Sequence, residues 1–138
     1  METIPHLITH EQIAAEYKIK MNNLLSKYKI FFAFSNQQFT ESMPKLAPGD
    51  KIISLGAGAY MPKSFLDLYK TESKIIEKWH TDSYANNEAA KEDYIYYELQ
   101  NYECFYTGNI SDVVNSFFFT EQEVLTVYHK YKHLHKDF

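Results

Sequence analysis

The sequence predicts an α+β fold, a small antiparallel sheet of about three strands packed by four to five helices, in a single domain over residues 1–138. Three observations carry that expectation. Apolar residues recur at helical spacing over most of the chain, and three capping boxes mark helix starts. Short aromatic and β-branched runs appear only near residues 30–34 and 51–62. A chain of 138 residues buries roughly two-thirds of its unfolded surface, enough for one core.

Thr9-His10-Glu11-Gln12 opens the first helix, because the Thr9 hydroxyl and the Gln12 side chain can satisfy backbone donors reciprocally. Ile13, Tyr17, Met21, Leu24, Leu25 and Tyr28 follow on one face, with the helix ending near Lys27. Ile30-Phe31-Phe32-Ala33-Phe34 reads as a largely buried strand. Ser35-Asn36-Gln37-Gln38 repeats the capping box and starts a short helix, which Pro44 and Pro48-Gly49 end. Lys51 to Leu55 and Tyr60-Met61-Pro62 form two short strands around the turn Gly56-Ala57-Gly58-Ala59.

Ser64 can cap the next helix, whose Phe65, Leu68, Tyr69, Ile75, Ile76 and Trp79 form one apolar stripe and cover a sheet face. Residues 81–88 carry turn and cap formers and predict an exposed connection. Ala89 to Phe105 is read as one central helix, with apolar residues around most of its circumference and Gly108 and Asn109 as its terminator. Ser111 begins a turn or two of helix. Thr120-Glu121-Gln122-Glu123 is the third capping box, opening a helix with Val124, Val127, Tyr128, Tyr131 and Leu134 on one face; the chain end is polar and expected to fray.

All 14 basic residues are lysine, 12 residues are tyrosine, 10 are phenylalanine, and the net charge is −4. Codon bias toward AT-rich triplets accounts for this composition. Its consequence is chemical: arginine is the residue of choice for bidentate phosphate and guanine contacts, and a negative chain offers no field for a polyanion, so nucleic acid is a disfavoured partner. No run reaches the 18 apolar residues needed to span a bilayer, and the first residues lack a basic and an apolar signal region. With one cysteine, Cys104, and no membrane or export signal, the expected location is the cytoplasm.

Two segments could bind a ligand. Gly56, Gly58, Lys63 and Ser64 lie before a helix start, where free N–H groups favour anions, although the order matches neither the P-loop nor GxGxxG; a plain hairpin turn is the competing reading. Glu98 falls beside Asn101 and Tyr102 on the helix, near Tyr94, and burial would raise its pKa toward acid–base use; a structural network satisfying backbone groups is the alternative. Cys104 has no base set beside it by any motif and reads as a packed thiol. His129 and His133 share a helix face with no designated third ligand, and suit the helix C-terminus as cations. The sequence therefore assigns no catalytic residue, no metal ligand and no cofactor.

The blocks Phe32 to Phe39 (FAFSNQQF), Ser54 to Tyr60 (SLGAGAY) with Lys63, and Tyr97 to Gly108 (YELQNYECFYTG) together resemble a family of small uncharacterised proteins carried by bacteriophages and gut bacteria. In that family the glycine segment is often richer in glycine, and histidine often stands where this chain has Tyr102. The resemblance implies a mobile-element protein in the host cytoplasm and supplies no activity. The expected function is a non-catalytic accessory protein that binds or sequesters a host macromolecule or small metabolite, with a possible anti-defence role. Two alternatives remain: a small hydrolase or transferase using Glu98 or Glu103 as acid–base, and a structural phage or homo-oligomeric protein.

Overall fold

The structure, a computed structural model, describes residues 8–135; the polar chain end expected to fray lies in part outside them. Two compact units emerge, one of residues 14–80 and one comprising, of the described residues, 8–13 and 81–135. The elements are α1 (His10–Lys27), β1 (Phe31–Phe32), α2 (Asn36–Ser42), β2 (Ile52–Gly56), β3 (Ala59–Pro62), α3 (Leu66–Ala85), α4 (Glu88–Asn101), α5 (Cys104–Thr107), α6 (Ser111–Ser116) and α7 (Glu121–Tyr131). The α+β class and the three-stranded antiparallel sheet agree with expectation, while the described residues hold seven α-helices instead of four or five.

In the 14–80 unit the strand order is β1-β3-β2, with Phe31 opposite Tyr60 and Ile53 opposite Met61. One apolar cluster joins Leu24 and Tyr28 of α1, Ile53, Leu55 and Met61 of the sheet, and Leu66, Tyr69 and Ile76 of α3. On the aromatic pair Phe31 and Tyr60 sits Phe39 of α2, its ring 5.0 Å from Tyr60 and nearly perpendicular to it. The strand expected over residues 30–34 shortens to Phe31–Phe32, with one further pairing contact from the Ala33 N–H to the Gly58 carbonyl at 2.9 Å. Leu68 and Ile75, expected on the buried stripe of α3, are exposed.

In the other unit Ile95 and Leu99 of α4 form a core with Cys104, Val113, Phe119, Val124 and Val127. Residues 81–85, expected to be a connection, continue α3, because Tyr84 is fully buried and its hydroxyl lies 2.7 Å from His10 Nδ1. The turn arrives only at Asn87, whose side chain accepts from Ala90 N–H and donates to the Ile8 carbonyl. The single helix expected to Phe105 is broken after Asn101. Leu134, expected on the buried face of α7, is exposed beyond that helix in the turn Lys132–His135.

Candidate functional site

The break between α4 and α5 shapes a concavity in the 8–13 and 81–135 unit. Glu103 adopts φ 57 and ψ 31, left-handed values that a residue with a Cβ rarely takes. The conformation is held from both sides. Its N–H donates to the Gln100 carbonyl, and its own carbonyl accepts from Tyr106 and Thr107, each at 3.0 Å. Cys104, fully buried in the core, anchors the next turn, and Gly108 at φ 75 closes it with a 2.8 Å bond to the Cys104 carbonyl.

Gln100, Glu103, Phe105, Tyr106 and His135 line the resulting groove of about 420 Å³. Its aromatic wall is a parallel stack. Phe105 is sandwiched between Tyr128 and His135, with ring centres 5.2 and 4.3 Å away and both planes within 11° of parallel. His135 Nε2 lies 3.0 Å from the Tyr96 hydroxyl, and Tyr96 stacks on Tyr131 at 4.2 Å. Tyr106 is 70% exposed at the mouth. Glu103 is the one carboxylate among the described residues of the lining, and its side chain makes no hydrogen bond or ion pair with the described residues.

Glu98 and Asn101 come together as their spacing predicts. Glu98 is only 7% exposed, and burial pushes its carboxyl above the usual range, while a hydrogen bond from Asn101 pulls the other way. Neither lines the groove. Cys104 is sealed in the core, and burial pushes its thiol up, the opposite of an activated nucleophile. No cluster of three histidine, cysteine or acidic side chains suited to a metal occurs among the described residues.

Gly56, Gly58, Lys63 and Ser64 belong to the 14–80 unit. The turn runs through three consecutive left-handed residues, Gly56, Ala57 and Gly58. A Cβ on Gly58 would come within 2.3 Å of the Phe34 ring, so that glycine serves the close approach of a neighbouring aromatic. Lys63 N–H pairs with the Lys51 carbonyl at 2.7 Å. Ser64 does not cap the helix as expected. Its N–H and hydroxyl both donate to the Asp50 carboxylate, at 3.1 and 2.6 Å, and those bonds, the hydroxyl's foremost, hold Asp50 below its usual range. The chain's own anion therefore occupies the Ser64 donors, while Lys63 and Ser64 border a further pocket together with Asp50 and Lys51.

The first two blocks of the resemblance meet in this unit, where Phe34, Asn36, Phe39 and Tyr60 border a second pocket of about 450 Å³. It contains no charged side chain, and the Ser35 hydroxyl is already engaged by Gln38 N–H. The groove at Glu103 offers more to specify a ligand. Gln100, Glu103, Phe105 and Tyr106 fall within the Glu98–Gly108 segment that the sequence offers as a candidate, with Glu103 as an acid–base group, and His135 is brought in by a turn after α7. Among the described residues no helix is long and apolar enough to cross a membrane.

Comparison with known proteins finds that the model of a family of unknown function, DUF7659, matches residues 13–137. No curated protein and no solved structure matches the chain.

Proposed function

The chain belongs to that family of unknown function, and from this premise we propose that it is a non-catalytic binding protein that sequesters a small metabolite in the groove at Glu103. The observation that carries the reading is the groove itself: a concavity with a stacked aromatic wall and, among its described residues, one amide and one carboxylate, the usual make-up of a site that orients a ligand with few polar groups. Its volume suits a metabolite better than a protein surface. Burial of Cys104 and of Glu98 keeps the nearest nucleophile and the nearest second acid out of the lining, which favours holding a ligand over converting it.

The likeness of the three blocks to small phage and gut-bacterial proteins supports an accessory role in a host cytoplasm, where withdrawal of a metabolite from the host would be the anti-defence act. The experiment is a thermal-shift screen of small-molecule fractions from a bacterial lysate. A ligand present at one hundred times its Kd should stabilise by about 2.7 kcal/mol, several degrees of Tm. Tyr106→Ala, at an exposed position, should abolish that shift while leaving the unliganded Tm in place. No shift from any fraction, or equal shifts in both proteins, would remove the proposal; capture of a host protein instead would favour the macromolecular reading.

A further inference from the structure

We infer that the ligand of this groove is an organic cation, a protonated amine attached to a flat apolar group. The inference rests on the binding reading above and adds the charge and shape of the ligand. Glu103 is the source of the charge. Its main-chain N–H and carbonyl are both committed, to Gln100 and to Tyr106 and Thr107, which fixes where its side chain starts, and its carboxylate has no ion-pair partner among the described residues. A neutral apolar ligand covering the groove would strip water from that carboxylate without replacing it, and an anion would add repulsion. An ammonium group would instead give a charge-assisted hydrogen bond.

The walls ask for the rest of the ligand. Tyr106 presents an exposed ring at the mouth, and Phe105 and His135, stacked on one another, supply an apolar side. Aromatic faces attract cations as well as apolar rings. Gln100, on the last turn of α4, can accept from or donate to a second polar atom. Among the described residues of the lining there is no lysine.

The test uses three probes of one shape in isothermal titration calorimetry at pH 7 and low salt: 2-naphthylmethylammonium, neutral 2-naphthylmethanol and anionic 2-naphthoate. The ammonium should bind roughly tenfold more tightly than the alcohol, as one partly exposed charge pair with an aromatic contact allows, and naphthoate should bind weakest. Glu103→Gln should erase the gap between ammonium and alcohol, weakening the ammonium and binding the alcohol no more weakly than the wild type does, with an unaltered circular dichroism spectrum. If the alcohol or naphthoate binds as tightly as the ammonium while Tyr106→Ala weakens all three, the groove is a binding site but the cation inference is overturned. If no probe binds, or Tyr106→Ala changes no affinity, the binding reading falls with it.

Discussion

Glu98 and Glu103 lie five positions apart and have different physical environments. Glu103 reaches a groove; Glu98 is buried, and its carboxyl is pushed up from its ordinary value of 4.5. A carboxyl whose pKa is higher in the folded state favours folding when protonated, so its contribution is full below pH 4.5 and is lost as pH rises through the folded value. Glu98→Gln should therefore raise the urea midpoint at pH 7, and the difference from wild type should vanish below pH 4.5. An unchanged midpoint at pH 7 would show that the buried carboxylate is fully compensated, with Asn101 as the partner on the page. The Glu98–Asn101 pair was legible because helical spacing is local. The position of Glu103 was not, because the left-handed turn falls on Tyr-Glu and is held by the buried Cys104 and by Gly108, where a sequence rule looks for glycine or asparagine at the turn itself. Asp50 escaped for a related reason: it meets Ser64 across 14 residues of chain that include the hairpin.

Elements defined by short-range chemistry were readable. Thr9 with Gln12 and Thr120 with Glu123 form reciprocal caps as their order predicts. The box at Ser35 shifts by one: Gln38 N–H donates to Ser35, but the Gln38 side chain accepts from Phe34 N–H. Readability ended where burial overrides propensity. Thr81, Asp82 and Ser83 look like turn formers, yet α3 runs on to bury Tyr84. The β2–β3 hairpin supplies the prediction at this scale. Gly58→Ala meets two costs, a left-handed backbone of about 1–2 kcal/mol and the contact with Phe34. Because Phe34 is 76% exposed, its ring can swing away. The double variant Gly58→Ala with Phe34→Ala should recover the steric part and retain the backbone part, measured as a non-additive cycle in chemical denaturation. Strict additivity would mean that the ring moves at no cost.

For the molecule as a whole, the absence of arginine and a net charge of −4 argue against polyanionic partners, and the chain keeps its carboxylates in check with lysine. Lys27 with Glu72, Lys91 with Glu123 and Lys130 with Glu92 form ion pairs within their own units. Glu103, like several other carboxylates, has no lysine partner among the described residues, and its place beside the aromatic groove is why an external cation is sought there. Each unit holds more than one pocket, and the choice between the two bounded by aromatic side chains is experimental: the groove at Glu103 and the aromatic pocket beside Phe34. Amide NMR of the full chain, titrated with 2-naphthylmethylammonium, reads both in one experiment. Progressive shifts concentrated at Gln100, Glu103 and Tyr106 are the predicted result; shifts concentrated at Phe34, Asn36 and Tyr60, or none at millimolar probe, would contradict the account.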